Sequence, residues 1–337
     1  MTRIHGGTDA LGTARFDFSS NSNACGPCAT VSTLIQQADA SVYPDANYTW
    51  LREKLAVFHG IPTWRIVLAS SASEFIFRMT ALAAKQTALQ GKVSLPKHSY
   101  ADYAHAAQAW GLGTASNLSE AQLVWACEPS SPLGVAHAPW PDELKASQPA
   151  LCQKVVVDCA YEPLRLSGQS SLSVEQWDTV WQLWTPNKAL GFTGVRAAYA
   201  IAPLSAQKDA LALEQLAASW PVGAHGVALL TAWTQPDVQG WLAESLVKLK
   251  NWKARQIDVL QNVGWTCLQS DSNFFCAGLA TSQSPTQMNL TTILLRLRKQ
   301  GIKLRDATSF GMPHLARISV QTPVAQDALM TALKELS

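Results

Sequence analysis

No apolar stretch in these 337 residues approaches the roughly 20 needed to cross a bilayer, so no membrane partner is expected. The opening MTRIHGGTDALGTARF lacks the apolar core of a secretion signal, and a cytoplasmic protein is expected. Charge is scarce and balanced: 15% of residues are charged and the net charge is +2. No basic run interleaves with aromatics, which excludes a nucleic-acid surface. Seven cysteines, an odd number without regular spacing, fit reduced thiols better than a disulfide framework. One pair, Cys25-Gly-Pro-Cys28, has redox-dithiol spacing, but that chemistry wants a strand before it and a helix opening at the first cysteine. A polar Ser-Asn-Ser-Asn run precedes it instead, so a turn with two free thiols is the better reading. No second pair completes a zinc site.

What is present is material for a large core, 47% hydrophobic, in one big domain or two unequal ones. Between Arg65 and Ala202, apolar runs at Ile66–Leu68, Val93–Leu95, Leu123–Trp125, Val155–Val157, Val180–Trp184 and Ala197–Ile201 alternate with helical patterns. The clearest of these helices cover Glu74–Lys85 and Ala101–Trp110. That rhythm predicts a mostly parallel sheet covered on both faces. Before it, the spacing predicts helices over Thr30–Ala38 and Tyr48–Phe58, separated by a turn at Tyr43-Pro44-Asp45. After it, helices are expected over Ala206–Ala218, from near Ala224, and over Leu242–Val263, Met288–Lys299 and Ala325–Leu336. Short strands at Thr266–Leu268, Phe274–Ala277 and Ala316–Val320 mix with them. The expected fold class is α/β: a large domain over residues 41–224, a smaller α+β domain over 225–337, and an arm over 1–40 that joins the small domain.

Ligands of such sheets gather at the carboxyl ends of the strands, and chemistry-bearing residues stand there. Asp158 ends the run VVVD, where a buried carboxylate is costly unless paired. A protonated pyridine nitrogen would be such a partner and would sharpen the ring as an electron sink; an ordinary helix N-cap fits the aspartate equally. Tyr161 lies three residues on. After Leu68, Ala-Ser-Ser-Ala-Ser-Glu opens a helix whose free N–H groups suit a phosphate, or are simply capped. Tyr100 follows the Val93–Leu95 run, placed to stack on a planar group; a surface or core tyrosine fits the position equally. Arg317 sits between Leu315 and Ile318 in a strand, and a buried arginine needs an anion. Asp306 is one candidate, a substrate carboxylate or phosphate the favoured one.

The stretch LWTPNKALGFTGVRAAYAIA, residues 183–202, organises the rest. Lys188 is held on a turn between two apolar runs, with Thr185 before it and Gly191, Gly194 and Arg196 after. A free lysine is protonated at neutral pH and a poor nucleophile, so Schiff-base chemistry needs particular neighbours. Thr185 and Arg196 suit a phosphate, as hydroxyl donor and bidentate cation. Taken alone, the segment also fits a solvated loop lysine.

Together these residues resemble the fold-type-I pyridoxal-phosphate enzymes, class I/II aminotransferases, and among them the histidinol-phosphate aminotransferases and the related threonine-phosphate decarboxylases. The resemblance spans nearly the whole chain: FSSNSNACGP is similar to the family's Asn-x-Asn-Pro-x-Gly-Pro, and YPDANYTWLREKLA to its Tyr-Pro-Asp…Leu-Arg-x-x-Leu-Ala. DCAY, NKALGFTGVR and LARISV follow in the family's order. The resemblance implies pyridoxal 5'-phosphate as cofactor and a seven-stranded-type sheet in the large domain. Lys188 would carry the internal aldimine and move the proton, Asp158 would meet the pyridine nitrogen, Tyr161 the phenolic oxygen, and Tyr100 the ring face. Ala72, Ser73, Thr185 and Arg196 would hold the phosphate, joined by Tyr43 from the second subunit of a homodimer. Arg317 and Arg305 would bind the substrate's anionic group, with Asn23 near it.

Two departures stand out. Glu128-Pro-Ser-Ser131-Pro-Leu-Gly134 replaces the family's Asn-Pro-x-Asn-Pro-x-Gly, so Ser131 stands where an asparagine donates to the phenolic oxygen. Ala24 replaces the arm's proline. The implied activity is amino transfer between an amino acid or amino-alcohol phosphate and a 2-oxo acid. His5-Gly6-Gly7 and RDATSFG look more like the decarboxylase branch of cobalamin biosynthesis, which keeps decarboxylation as the alternative.

Overall fold

The computed structural model describes residues 5–145, 153–279 and 289–336. The first four residues of the arm, and Met288 at the head of an expected helix, lie outside them. In chain order the strands are β1 (Phe16–Asp17), β2 (Ile66–Ala69), β3 (Lys92–Ser94), β4 (Gly113–Thr114), β5 (Leu123–Cys127), β6 (Lys154–Asp158) and β7 (Trp181–Trp184). Then follow β8 (Ala198–Ile201), β9 (Trp265–Cys267), β10 (Phe274–Leu279), β11 (Ile302–Lys303), β12 (Arg305–Asp306) and β13 (Ala316–Ser319).

Seven strands form the large sheet in the order β2-β8-β7-β6-β5-β3-β4. Pairing is parallel from β4 through β7, and only β8 runs antiparallel, against both β7 and β2. The continuous apolar runs have this origin, since β5 is buried at every position and β6 at all but its first. In register, Cys127 stands beside Asp158 and Asp158 beside Leu183, so β5, β6 and β7 end level. Their following loops therefore open on one edge.

Helix Ala72–Gln86 starts at Ser71, whose hydroxyl accepts from the Glu74 N–H at 3.1 Å. It buries Phe75, Ile76, Met79 and Leu82 in a cluster with Tyr103, Trp125 and Trp181; each such side chain contributes about 1.5–3 kcal/mol. A second cluster joins Phe18, Leu51, Leu190, Leu230, Phe275 and Ile318. It ties the N-terminal arm, the lysine turn and the C-terminal part into one body. The C-terminal sheet is antiparallel, in the order β12-β13-β10-β9. The arm returns to this region, β1 pairing in parallel with β11 through Phe16 and Ile302. The long helix covers Pro236–Gln261, opening six residues earlier than the apolar spacing alone locates it because proline suits a first helical position. No helix among the described residues is long and apolar enough to cross a membrane.

Cys28 is buried and Cys25 partly so, both as free thiols, and helix Ala29–Gln36 opens after the second cysteine. Burial pushes the Cys25 thiol above its usual value, the reverse of what a reactive thiolate requires.

Candidate active site

Lys188 lies in a single helical turn, Asn187–Leu190, rather than in an open loop between the strands. Gly191 ends that turn at φ 82°, and a Cβ there would lie 2.8 Å from Pro27 Cα. The arm clasps the turn closely for this reason. The Asn23 N–H donates to the Lys188 carbonyl at 2.9 Å and Cys28 N–H to Leu190 carbonyl at 3.0 Å. The Lys188 Nζ stands 5.3 Å from the centre of the Tyr161 ring, which packs edge-on against Phe274 at 4.7 Å.

Lys188 opens into a cavity of about 830 Å³ that also takes in Asp158, Tyr161, Tyr100, Ala72, Ser73, Ser131, Thr185, Arg196, Arg305 and Arg317. Asp158 is 5% exposed. One carboxylate oxygen accepts from Tyr103 at 2.7 Å, the other from the Ala160 N–H at 3.0 Å. Burial pushes its pKa up, against the pull of the Tyr103 hydroxyl and the Lys188 charge. No cation among the described residues forms an ion pair with it. Tyr103, fully buried, stacks on Trp125 with ring centres 4.9 Å apart. The sequence pattern spends Tyr103 on the apolar face of its helix, and nothing local marks it as the partner of Asp158.

At the mouth of β2, Ser73 Oγ lies 3.1 Å from the Tyr100 hydroxyl at the start of a fifteen-residue helix. The Thr185 hydroxyl is buried without a hydrogen-bond partner. Arg196 is exposed at the cavity edge, and no carboxylate among the described residues pairs with it. A free-standing hydroxyl, a helix N-terminus and an unclaimed guanidinium form a donor set for a phosphate. With a primary amine and a buried carboxylate lacking a cation, these residues fit pyridoxal phosphate.

Arg317 is 7% exposed in β13, beside Arg305 of β12. Its Nη1 donates to Ser131 Oγ at 3.1 Å and its Nη2 to the Ser19 carbonyl at 3.0 Å, while Nε is buried without a partner. Phe274 and Phe310 flank the guanidinium at 5.6 and 5.5 Å. Asp306 is not its counter-ion; one Asp306 oxygen accepts from the Thr308 N–H at 2.7 Å. Arg305 donates to the Asp306 carbonyl and to Ser309, and burial with the Arg317 charge lowers its pKa to about 10.

The structure places one of the expected substrate-binding side chains off the cavity wall. The Asn23 side chain does not line the cavity: its amide donates to the Ala189 carbonyl at 2.9 Å, and its carbonyl accepts from the Cys25 N–H. Asn23 braces the lysine turn, and Asn21, two residues earlier in the arm, lines the cavity. Asn21 is 4% exposed with neither amide atom partnered. The Ser131 hydroxyl is likewise engaged by Arg317. Tyr43 lies outside its own chain's cavity, 76% exposed and stacked on Trp220 at 4.4 Å. His5, Gly6 and Gly7 line the cavity from the arm.

The model of the family "Aminotransferase class I and II" matches residues 15–333. The chain is similar to histidinol-phosphate aminotransferase 1 of Psychrobacter arcticus, 26% identical, with 97% of this chain and 87% of the relative covered. In structure it resembles histidinol-phosphate aminotransferase from Sinorhizobium meliloti, solved with pyridoxal-5'-phosphate, at TM-score 0.76 and 23% identity over 94% of this chain and 89% of the other. It also resembles L-threonine-O-3-phosphate decarboxylase from Porphyromonas gingivalis, at TM-score 0.73 and 16% identity over 94% and 98%. The chain belongs to the class I and II aminotransferase family.

Proposed function

We propose that this chain, a pyridoxal 5'-phosphate-dependent aminotransferase, moves an amino group between an amino acid or amino-alcohol phosphate and a 2-oxo acid. One observation carries the reading: a lysine amine, a buried carboxylate and a buried arginine share one cavity, and among the described residues the carboxylate pairs with no cation and the arginine with no carboxylate. When bound, the cofactor supplies an aldehyde that condenses with amines and a ring that accepts the electron pair of a broken Cα bond.

The chain's own residues do the remainder. Lys188 holds the cofactor, and its Nζ takes and returns the Cα proton. Asp158 would supply the negative charge at the buried end of the site, facing the cofactor's ring nitrogen, a pairing that would offset the carboxylate's desolvation. Tyr161 and Tyr100 bound the ring's space, and Ala72, Ser73, Thr185 and Arg196 take the phosphate. Arg317 and Arg305 hold the substrate anion, with Asn21 in the role expected of Asn23. The exposed Tyr43, in an apolar groove with Val42 and Trp50, fits contact with a second copy, so the working unit is a homodimer that shares its sites.

Decarboxylation of a threonine-phosphate-like substrate is the second reading, favoured by His5, Gly6 and Gly7 at the cavity wall. Reconstituted enzyme with O-phospho-L-threonine separates the two. Amino transfer that requires a 2-oxo acid supports the first, and carbon dioxide release without one replaces it with the second. No reaction with any phosphorylated amine refutes both.

A further inference from the structure

Beyond the end of β5 the chain loops from Glu128 to His137, and this loop carries Ser131 to Arg317. A side chain closes its neck: a Glu128 carboxylate oxygen accepts from the His137 N–H at 3.1 Å. Inside, the Ser130 N–H donates to the Val135 carbonyl at 2.8 Å and the Gly134 N–H to the Ser130 carbonyl at 2.6 Å. The Glu128 carboxylate also accepts from the Ser171 N–H at 2.6 Å and the Ser171 hydroxyl at 2.5 Å. Arg165 Nη2 lies 3.3 Å away, and the same guanidinium holds Glu162 through Nε at 3.0 Å and Nη2 at 2.7 Å.

Glu128 is 1% exposed, yet it does not line the cavity. A buried ion pair is a weak source of net stability, because desolvation offsets its attraction. What this pair does supply is geometry. Its partners fix both ends of the loop relative to the segment that carries Tyr161. An asparagine at 128 is a methylene shorter, carries no charge and forms no ion pair with Arg165.

We propose that Glu128 is a positioning residue for substrate-anion binding. By gathering His137, Ser171 and Arg165, it holds the Ser131 hydroxyl against Arg317 and so sets the orientation of the guanidinium. This rests on the reading of Arg317 as the anion site.

The test is a double-mutant cycle on the reconstituted enzyme: wild type, Ser131→Ala, Glu128→Gln and the double variant. The probe is O-phospho-L-threonine, its Kd read by calorimetry. Each single change weakens the probe about tenfold, and the double change weakens it about tenfold as well, not a hundredfold. The Kd for pyridoxal phosphate stays within about twofold throughout, because the loop change acts through Arg317. If Glu128→Gln fails to fold, Arg165→Lys takes its place in the cycle, retaining a cation but not the fork. Multiplying effects in the double variant, or Glu128→Gln binding like wild type, overturns the proposal alone. Failure of the wild type to bind the probe overturns the anion reading and this proposal with it.

Discussion

Asp158→Asn separates two roles that a buried carboxylate can have. The side chain is 5% exposed, with one oxygen on Tyr103 and the other on the Ala160 N–H, and burial raises its pKa. An asparagine of the same shape keeps the Ala160 contact, and the Tyr103 hydroxyl turns from donor to acceptor for the new amide. Without cofactor, the substitution therefore removes a desolvated charge and leaves no orphan; the apo-protein should melt at the wild-type temperature or above it. With cofactor, it removes a charge-assisted hydrogen bond worth about 1.5–3 kcal/mol. Affinity for pyridoxal phosphate should then fall by roughly 10–150-fold, with turnover falling too. Equilibrium titration of apo-enzyme and calorimetric melting of the same samples read both effects. Unchanged cofactor affinity, or a large loss of apo-protein stability, would make Asp158 a structural cap and rule out its role toward the ring nitrogen.

Asn21→Ala should raise KM for the amino substrate about tenfold and leave apo stability within about 0.5 kcal/mol, since neither amide atom has a partner to lose; steady-state kinetics and melting check this, and an unchanged KM removes Asn21 from the site. Gly191→Ala should destabilise by about 2 kcal/mol or more, because the residue sits at φ 82° against Pro27, and denaturant midpoints would show it. His59 contacts the Tyr199 hydroxyl at 2.7 Å, and burial lowers its pKa from 6.5 to about 4. Between those values the unfolded chain takes up a proton that the folded one refuses, so stability falls with pH by up to about 3 kcal/mol. In His59→Gln that loss should shrink, and an equal loss in both proteins contradicts the assignment.

The large sheet was legible because parallel strands buried on both faces must be written as unbroken apolar runs. β4 and β12, two residues each, carry no such run and become visible only through pairing. Asp158 and Lys188 could be read because one ends a strand and the other sits in the turn that comes after one, at the edge where a sheet of this type opens. Asn21 could not be told from Asn23, since both belong to one polar run and only the path of the arm decides which faces inward. The Ser131–Arg317 contact joins positions 186 residues apart. Neither residue names the other locally, and the resemblance points the serine at a ring contact instead. Tyr103 was hidden by its own spacing, which serves the core and the carboxylate at once.

In the proposed function Lys188 is the amine that receives the cofactor. Borohydride reduction of the reconstituted enzyme, followed by peptide mapping, tests this most directly. The pyridoxyl group should be found on Lys188, and Lys188→Ala should carry none. Label on a different lysine, or a Lys188→Ala protein still labelled to the same extent, would contradict it.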